Sequence, residues 1–132
     1  MTKIIFLGLT DVGLVRSNNE DAFLINDSAD YCLVADGMGG AAAGETASLI
    51  FSQTASEILT DLKASNEQEA VERVQKAFRL ANDRILEHVA RNPQHEGMGC
   101  TAELLVFGPM GYVIGHMGDS RTYRLRQGVF KV

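Results

Sequence analysis

The chain has 132 residues, 45% of them apolar and 22% charged, with a net charge of −5. That composition excludes a disordered chain, fits one domain over residues 1–132, and leaves no basic run for nucleic acid or an anionic membrane surface. The two cysteines, Cys32 and Cys100, read as reduced thiols rather than a disulfide, and no apolar run is long enough for a signal peptide or membrane span, so a soluble cytoplasmic protein is expected.

Residues 3–10 are rich in β-branched and aromatic side chains and predict a first strand. Residues 11–20 are polar, include Gly13 and the pair Asn18-Asn19, and predict a loop. Residues 22–26 predict a second strand. The turn cluster Asn26-Asp27-Ser28-Ala29-Asp30 joins it to an apolar run from Tyr31, so the two should form a hairpin. That run, Tyr31-Cys32-Leu33-Val34-Ala35, leads into Asp36 and then Gly37-Met38-Gly39-Gly40. Asp36 is expected at the strand end, where the chain leaves the sheet. The glycines permit positive φ and close approach of a carbonyl or amide. A carboxylate beside an exposed carbonyl suits a hard cation such as Mg²⁺ or Mn²⁺. The alternative is a plain strand-to-helix turn whose aspartate satisfies backbone amides.

Two helices should follow. From about Gly44, the residues Ala47, Ile50, Phe51, Ala55, Ile58, Leu59 and Leu62 recur at spacings of three and four. Val71, Val74, Phe78, Ala81, Ile85 and Val89 do the same, with Ser65 and Gln68 placed as a capping box and Pro93 just past the end. Both stripes read as core against a sheet. Residues 92–99 predict a loop, 100–107 a strand, 108–111 a turn and 112–117 a strand. Gly118-Asp119-Ser120 predicts a tight reversal. Residues 121–126 alternate polar and apolar, Gln127-Gly128 turns again, and residues 129–132 begin another strand. Strands, then two helices, then strands with short turns predict an α+β fold with mainly antiparallel sheet and helices on one face.

Three polar clusters lie between apolar strands: Arg16-Ser17-Asn18-Asn19-Glu20-Asp21, Asp36-Gly37-Met38-Gly39-Gly40, and Gly118-Asp119-Ser120-Arg121. Together they resemble a hard-metal site assembled from separate loops. Glu20 and Asp21 are adjacent, so in a strand they point to opposite sides and at most one ligates directly. Arg16 is a fork of donors suited to a phosphate. His88, His95 and His116 have no metal-type spacing, and neither a nucleophile elbow nor a Walker loop is present.

These clusters carry a resemblance. Residues 10–23 resemble the opening motif of the PP2C-type metal-dependent protein phosphatases. Val34-Ala35-Asp36-Gly37-Met38-Gly39-Gly40 with Ala43-Gly44-Glu45 resembles their second motif in its bacterial form. Met98-Gly99-Cys100-Thr101 is similar to a Met-Gly-Thr-Thr motif, with Cys100 in place of a threonine. His116-Met117-Gly118-Asp119-Ser120-Arg121 resembles the motif after it. The resemblance implies an α-β-β-α sandwich, two sheets flanked by helices, with two Mg²⁺ or Mn²⁺ ions between the sheets. It implies hydrolysis of phosphoserine and phosphothreonine in proteins by a metal-activated water. By the same resemblance Asp36 bridges the ions, the Gly37 carbonyl binds one, and Glu20 serves that metal directly or through water. Asp21 holds metal-bound water, Arg16 grips the phosphate, and Asp119 takes part in a third, weaker site.

The later Asp-Gly and Asp-Asn motifs of the family are missing, and no carboxylate follows Asp119. The expectation is therefore a phosphatase domain truncated to about its N-terminal half, incomplete at the C-terminus and inactive alone. An unpaired sheet edge and exposed apolar surface would favour self-association. The alternative is a non-catalytic binding or regulatory module derived from the same fold.

Overall fold

A computed structural model describes residues 3–28, 30–61 and 66–132, without the side chain of Ala41. Strand β1 (Asp21–Asn26) and strand β2 (Tyr31–Met38) form the expected antiparallel hairpin, in register from Asn26 opposite Tyr31 to Asp21 opposite Asp36. Strand β2 runs two residues beyond Asp36, because Gly37 and Met38 pair with Cys100 and Gly99 of the short β3 (Gly99–Cys100). Asp36 thus stands just inside the strand end rather than at it. Strand β4 (Ala102–Phe107) continues along the same side of β2, and β5 (Tyr112–Met117) pairs with β4. The sheet order is β1-β2-β4-β5, antiparallel throughout.

Side chains alternate across this sheet. Tyr31, Leu33 and Ala35 are buried on one face, while Val34, Asp36 and Met38 are exposed on the other. Helix α1 (Ala41–Leu59) and helix α2 (Glu67–Arg91) cover the first face. The predicted stripes do face the core. Phe51, Ala55, Leu59, Val74 and Ala81 are buried, with Ile58 and Phe78 at the margin; Leu62 lies outside the described residues. Buried Ala43, Ala47 and Ser48 keep α1 slender where it meets the sheet, and Phe51 meets Phe78 edge-on at 5.1 Å.

Local signals differ from the sequence reading at both helix starts. Helix α1 starts at Ala41, ahead of Gly44, because Gly40 at φ 82° supplies a left-handed entry that most side chains resist. Helix α2 is capped by Asn66, whose Oδ1 accepts the Glu69 amide at 2.9 Å. Ser65, the expected cap, lies outside the described residues.

Residues 3–10 form no strand. Strand propensity favours an extended backbone, but a ladder needs a partner, and these residues have none among the described ones. Leu7 and Leu9 are exposed, Phe6 touches Phe107, and the missing side chain of Gly8 makes room for the Phe23 ring. The last two strands, β6 (Arg124–Arg126) and β7 (Val129–Lys131), make their own ribbon. Positive φ at both Gln127 and Gly128 marks the two-residue turn that matches strand twist. Of the alternating residues 121–126, only Arg124–Arg126 join the ribbon, while side-chain bonds to Glu103 hold Ser120 and Thr122. One helix pair on one antiparallel sheet is thus laid out among the described residues, with Phe23, Val34 and Ile114 exposed on the uncovered face.

Candidate metal centre

The β1–β2 register sets Asp21 opposite Asp36. Facing residues of an antiparallel pair project on the same side. Here that is the uncovered face, and the two carboxyl groups come within hydrogen-bonding reach. Asp21 is held above the ordinary aspartate range, first by partial loss of water, then by the charge and hydrogen bond of Asp36, then by the charge of Glu20. Carboxylates set this close repel unless a proton or a cation lies between them.

Glu20, the residue just before β1, turns its carboxylate toward α1. Its backbone carbonyl accepts from the Gly37 amide at 3.1 Å and from the buried Ser48 hydroxyl at 2.7 Å. Its carboxylate occupies the space that Gly44 leaves by having no side chain. Gly37 is a glycine because of close approach, not left-handed backbone: a Cβ there would strike the Gly44 carbonyl and the Glu20 carbonyl. Positive φ belongs to Gly39 and Gly40. Asp36 does not cap α1, whose N-terminal cap is Gly40.

The loop before β1 is fastened at both ends. Asp11 accepts the Gly13 amide at 2.7 Å, and Asn19 donates to Thr10 at 2.7 Å while accepting the Asp21 amide at 3.1 Å. Arg16 is exposed and makes no ion pair among the described residues. With Glu20, Asp21, Asp36 and Gly37 it lines a cleft of about 500 Å³.

The third cluster abuts this cleft without entering it. Gly118, at φ 97°, packs on Thr101. Thr101 takes the Asp36 amide on its hydroxyl at 3.2 Å and donates its own amide to the Asp36 carbonyl at 2.8 Å. Ser120 lines a smaller cavity, about 170 Å³, together with Asp21 and Asp36. Asp119 is exposed and lines neither cavity. His88 and His95 hydrogen-bond each other at 2.9 Å, and His116 bonds Glu103; none of the three lines the cleft.

Among the described residues, no three His, Cys, Asp or Glu side chains form a group able to hold an ion by themselves. The donor set still fits Mg²⁺ or Mn²⁺. It consists of hard carboxylate oxygens, two of them in repulsive contact, with the Glu20 carboxylate seated in a recess that a Cβ at Gly44 would fill.

The family model described as Protein phosphatase 2C matches residues 15–132. The chain belongs to the protein phosphatase 2C family. It is 37% identical over 119 residues to the serine/threonine protein phosphatase PstP of Mycobacterium tuberculosis, covering 90% of this chain and 22% of that protein. It is 32% identical over 126 residues to the serine/threonine phosphatase stp of Listeria innocua, covering 92% of this chain and 50% of that one. The catalytic domain of PstP, solved in complex with two manganese ions, superposes with a TM-score of 0.81 at 36% identity, over 89% of this chain and 49% of that chain. A TM-score of 0.80 relates it to PppA of Pseudomonas aeruginosa at 33% identity, over 92% and 51%. The architecture is that of the PP2C catalytic domain, and the chain spans half or less of the length of these curated relatives.

Within this PP2C frame, three supporting residues had no role in the sequence reading. Ser48 holds the Glu20 carbonyl, Thr101 holds both backbone groups of Asp36, and Glu103 collects side chains from the third cluster. A hydroxyl on the inward stripe of a helix, as at Ser48, is a signal for such a bond. Glu103 carries one too: it is a lone carboxylate in the apolar run Ala102-Glu103-Leu104-Leu105-Val106.

Proposed function

We propose that this chain is about the N-terminal half of one metal-dependent phosphatase domain, which hydrolyses phosphoserine and phosphothreonine in proteins. The observation that carries the reading is the Asp21–Asp36 carboxyl pair, set on one face of the sheet in a cleft shared with Glu20 and with Arg16, which has no ion pair among the described residues. Asp36, Asp21, Glu20 and the Gly37 carbonyl would hold two ions of Mg²⁺ or Mn²⁺, with Asp119 serving a third, weaker site. When bound, such ions supply an acidified water and offset charge on the phosphoryl oxygens. Arg16 presents a planar fork that matches two phosphate oxygens at once. The strand ladder and the Asn19 bonds hold Asp21 and the end of the loop that carries Arg16, the kind of positioning that in-line displacement needs.

The 132 residues alone are inactive in this reading, since two carboxylates in contact do not fill an ion's coordination shell. Two free thiols, and no helix among the described residues long and apolar enough to cross a membrane, support a cytoplasmic setting with phosphoproteins as partners. The test is Mn²⁺-dependent hydrolysis of p-nitrophenyl phosphate and of a phosphothreonine peptide by the full-length protein. Activity that survives Asp36→Ala would overturn the reading.

One observation favours a second reading, a non-catalytic phosphopeptide-binding or regulatory module. Asp119 stands outside the cleft, and no three-carboxylate group forms among the described residues. Phosphopeptide binding through Arg16 without hydrolysis, in a full-length protein that carries no further Asp-Gly or Asp-Asn motif, would support it.

A further inference from the structure

Glu103 lies on β4 with only 6% of its surface exposed, on the face the helices do not cover. Across the ladder it faces Val34 on one side and His116 on the other. A carboxylate buried there is costly unless its oxygens are satisfied. They are. One oxygen accepts from His116 Nδ1 and from the Ser120 hydroxyl at 3.1 Å, and the other accepts from the Thr122 hydroxyl at 2.5 Å. An ionised carboxylate can only accept, so all three partners donate, which puts the His116 proton on Nδ1.

The three donors come from one short stretch, and Asp119 lies between them. The reversal they bracket is closed by Arg121, which donates to the carbonyls of Asp119 and Ser120 at 2.8 and 3.1 Å. We infer that Glu103 is a positioning residue: one buried carboxylate ties His116, Ser120 and Thr122 to the sheet and so fixes the reversal that carries Asp119, next to Ser120, which shares a cavity with Asp21 and Asp36. A role in stability alone does not account for it, because an apolar side chain among Val34, Leu105 and Ile114 would serve as well or better. What the carboxylate adds is a fixed geometry for segment 116–122. The use made of Asp119 rests on the phosphatase reading; the anchoring does not.

The test uses full-length protein with Glu103→Gln, and Thr122→Val as a milder variant that removes one of the three bonds. Hydrogen exchange of residues 118–122 should speed up about tenfold in Glu103→Gln and less in Thr122→Val, with the β4–β5 ladder unchanged. Mn²⁺ affinity, measured by calorimetry, should weaken about 10- to 100-fold, as for lost outer-shell partners. In an Asp119→Asn background the same change should have no further effect. Unchanged exchange in 118–122 would overturn the anchoring. An equal loss of Mn²⁺ affinity with Asp119 already removed would overturn the route through Asp119. A full-length protein that binds no Mn²⁺ would sink the phosphatase reading and the use of Asp119, while the exchange result still decides the anchoring.

Discussion

Asp21 and Asp36 face each other across the β1–β2 ladder, near enough for the Asp36 carboxyl to help hold Asp21 above the ordinary aspartate range. Among the described residues no ion pair offsets them. Their closeness disfavours the metal-free fold and favours whatever cation enters. Asp36→Asn should therefore raise the metal-free melting temperature by about 2–4 °C and, under the proposed function, reduce Mn²⁺-dependent hydrolysis by the full-length protein at least about a hundredfold. Calorimetric melting beside a phosphatase assay checks both directions. A lower melting temperature in the variant would contradict the repulsion.

Gly37 and Gly44 touch, yet substitution should affect them differently. A Cβ at Gly37 meets two backbone carbonyls, which cannot move aside, so Gly37→Ala should cost about 3 kcal/mol of stability. A Cβ at Gly44 meets first the far end of the Glu20 side chain, and only then, at 3.0 Å, the Gly37 backbone. The Glu20 side chain can swing away, and alanine is the better helix former, so Gly44→Ala should stay within about 1 kcal/mol of wild type. It should nonetheless weaken Mn²⁺ binding, because Glu20 is displaced. Urea unfolding and Mn²⁺ titration separate the two outcomes.

Arg16 contributes binding rather than bond breaking in the proposed site. Arg16→Ala should raise KM for a phosphopeptide about tenfold or more with a smaller change in kcat. Arg16→Lys should recover only part of the loss, since an ammonium cannot present two parallel donors. Steady-state kinetics of the full-length protein checks both.

Cys100 tests the burial of β3. Burial, and then the charge of Asp36, push its thiol up from 9.0 to about 11. The thiol form is the one the fold favours, so its contribution to stability is complete below pH 9 and is lost as pH rises through 11. Labelling by a disulfide reagent at pH 8 should be about a hundredfold slower in the folded protein than in guanidinium. Equal rates would mean that β3 does not shield the sulfur.

The sequence by itself determined the two helical stripes, the β1–β2 hairpin and the loops that bear charge. Each of these is a local matter: spacing at 3.6 or 2 residues, and turn residues between. Phe51, Ala55 and Val74 are buried where periodicity put them. Residues 3–10 show the limit of that logic, since a segment can carry strand propensity and still be no strand when nothing pairs with it.

Tertiary structure alone decided which charges meet. The cross-strand register put Asp21 against Asp36, fifteen positions apart in the chain, and β4 and β5 brought Glu103 under His116. Two glycines in separate elements let α1 close on the strand end and seat Glu20. Such contacts follow from ladder pairing and close packing over long separations, and no pattern within a single segment encodes them.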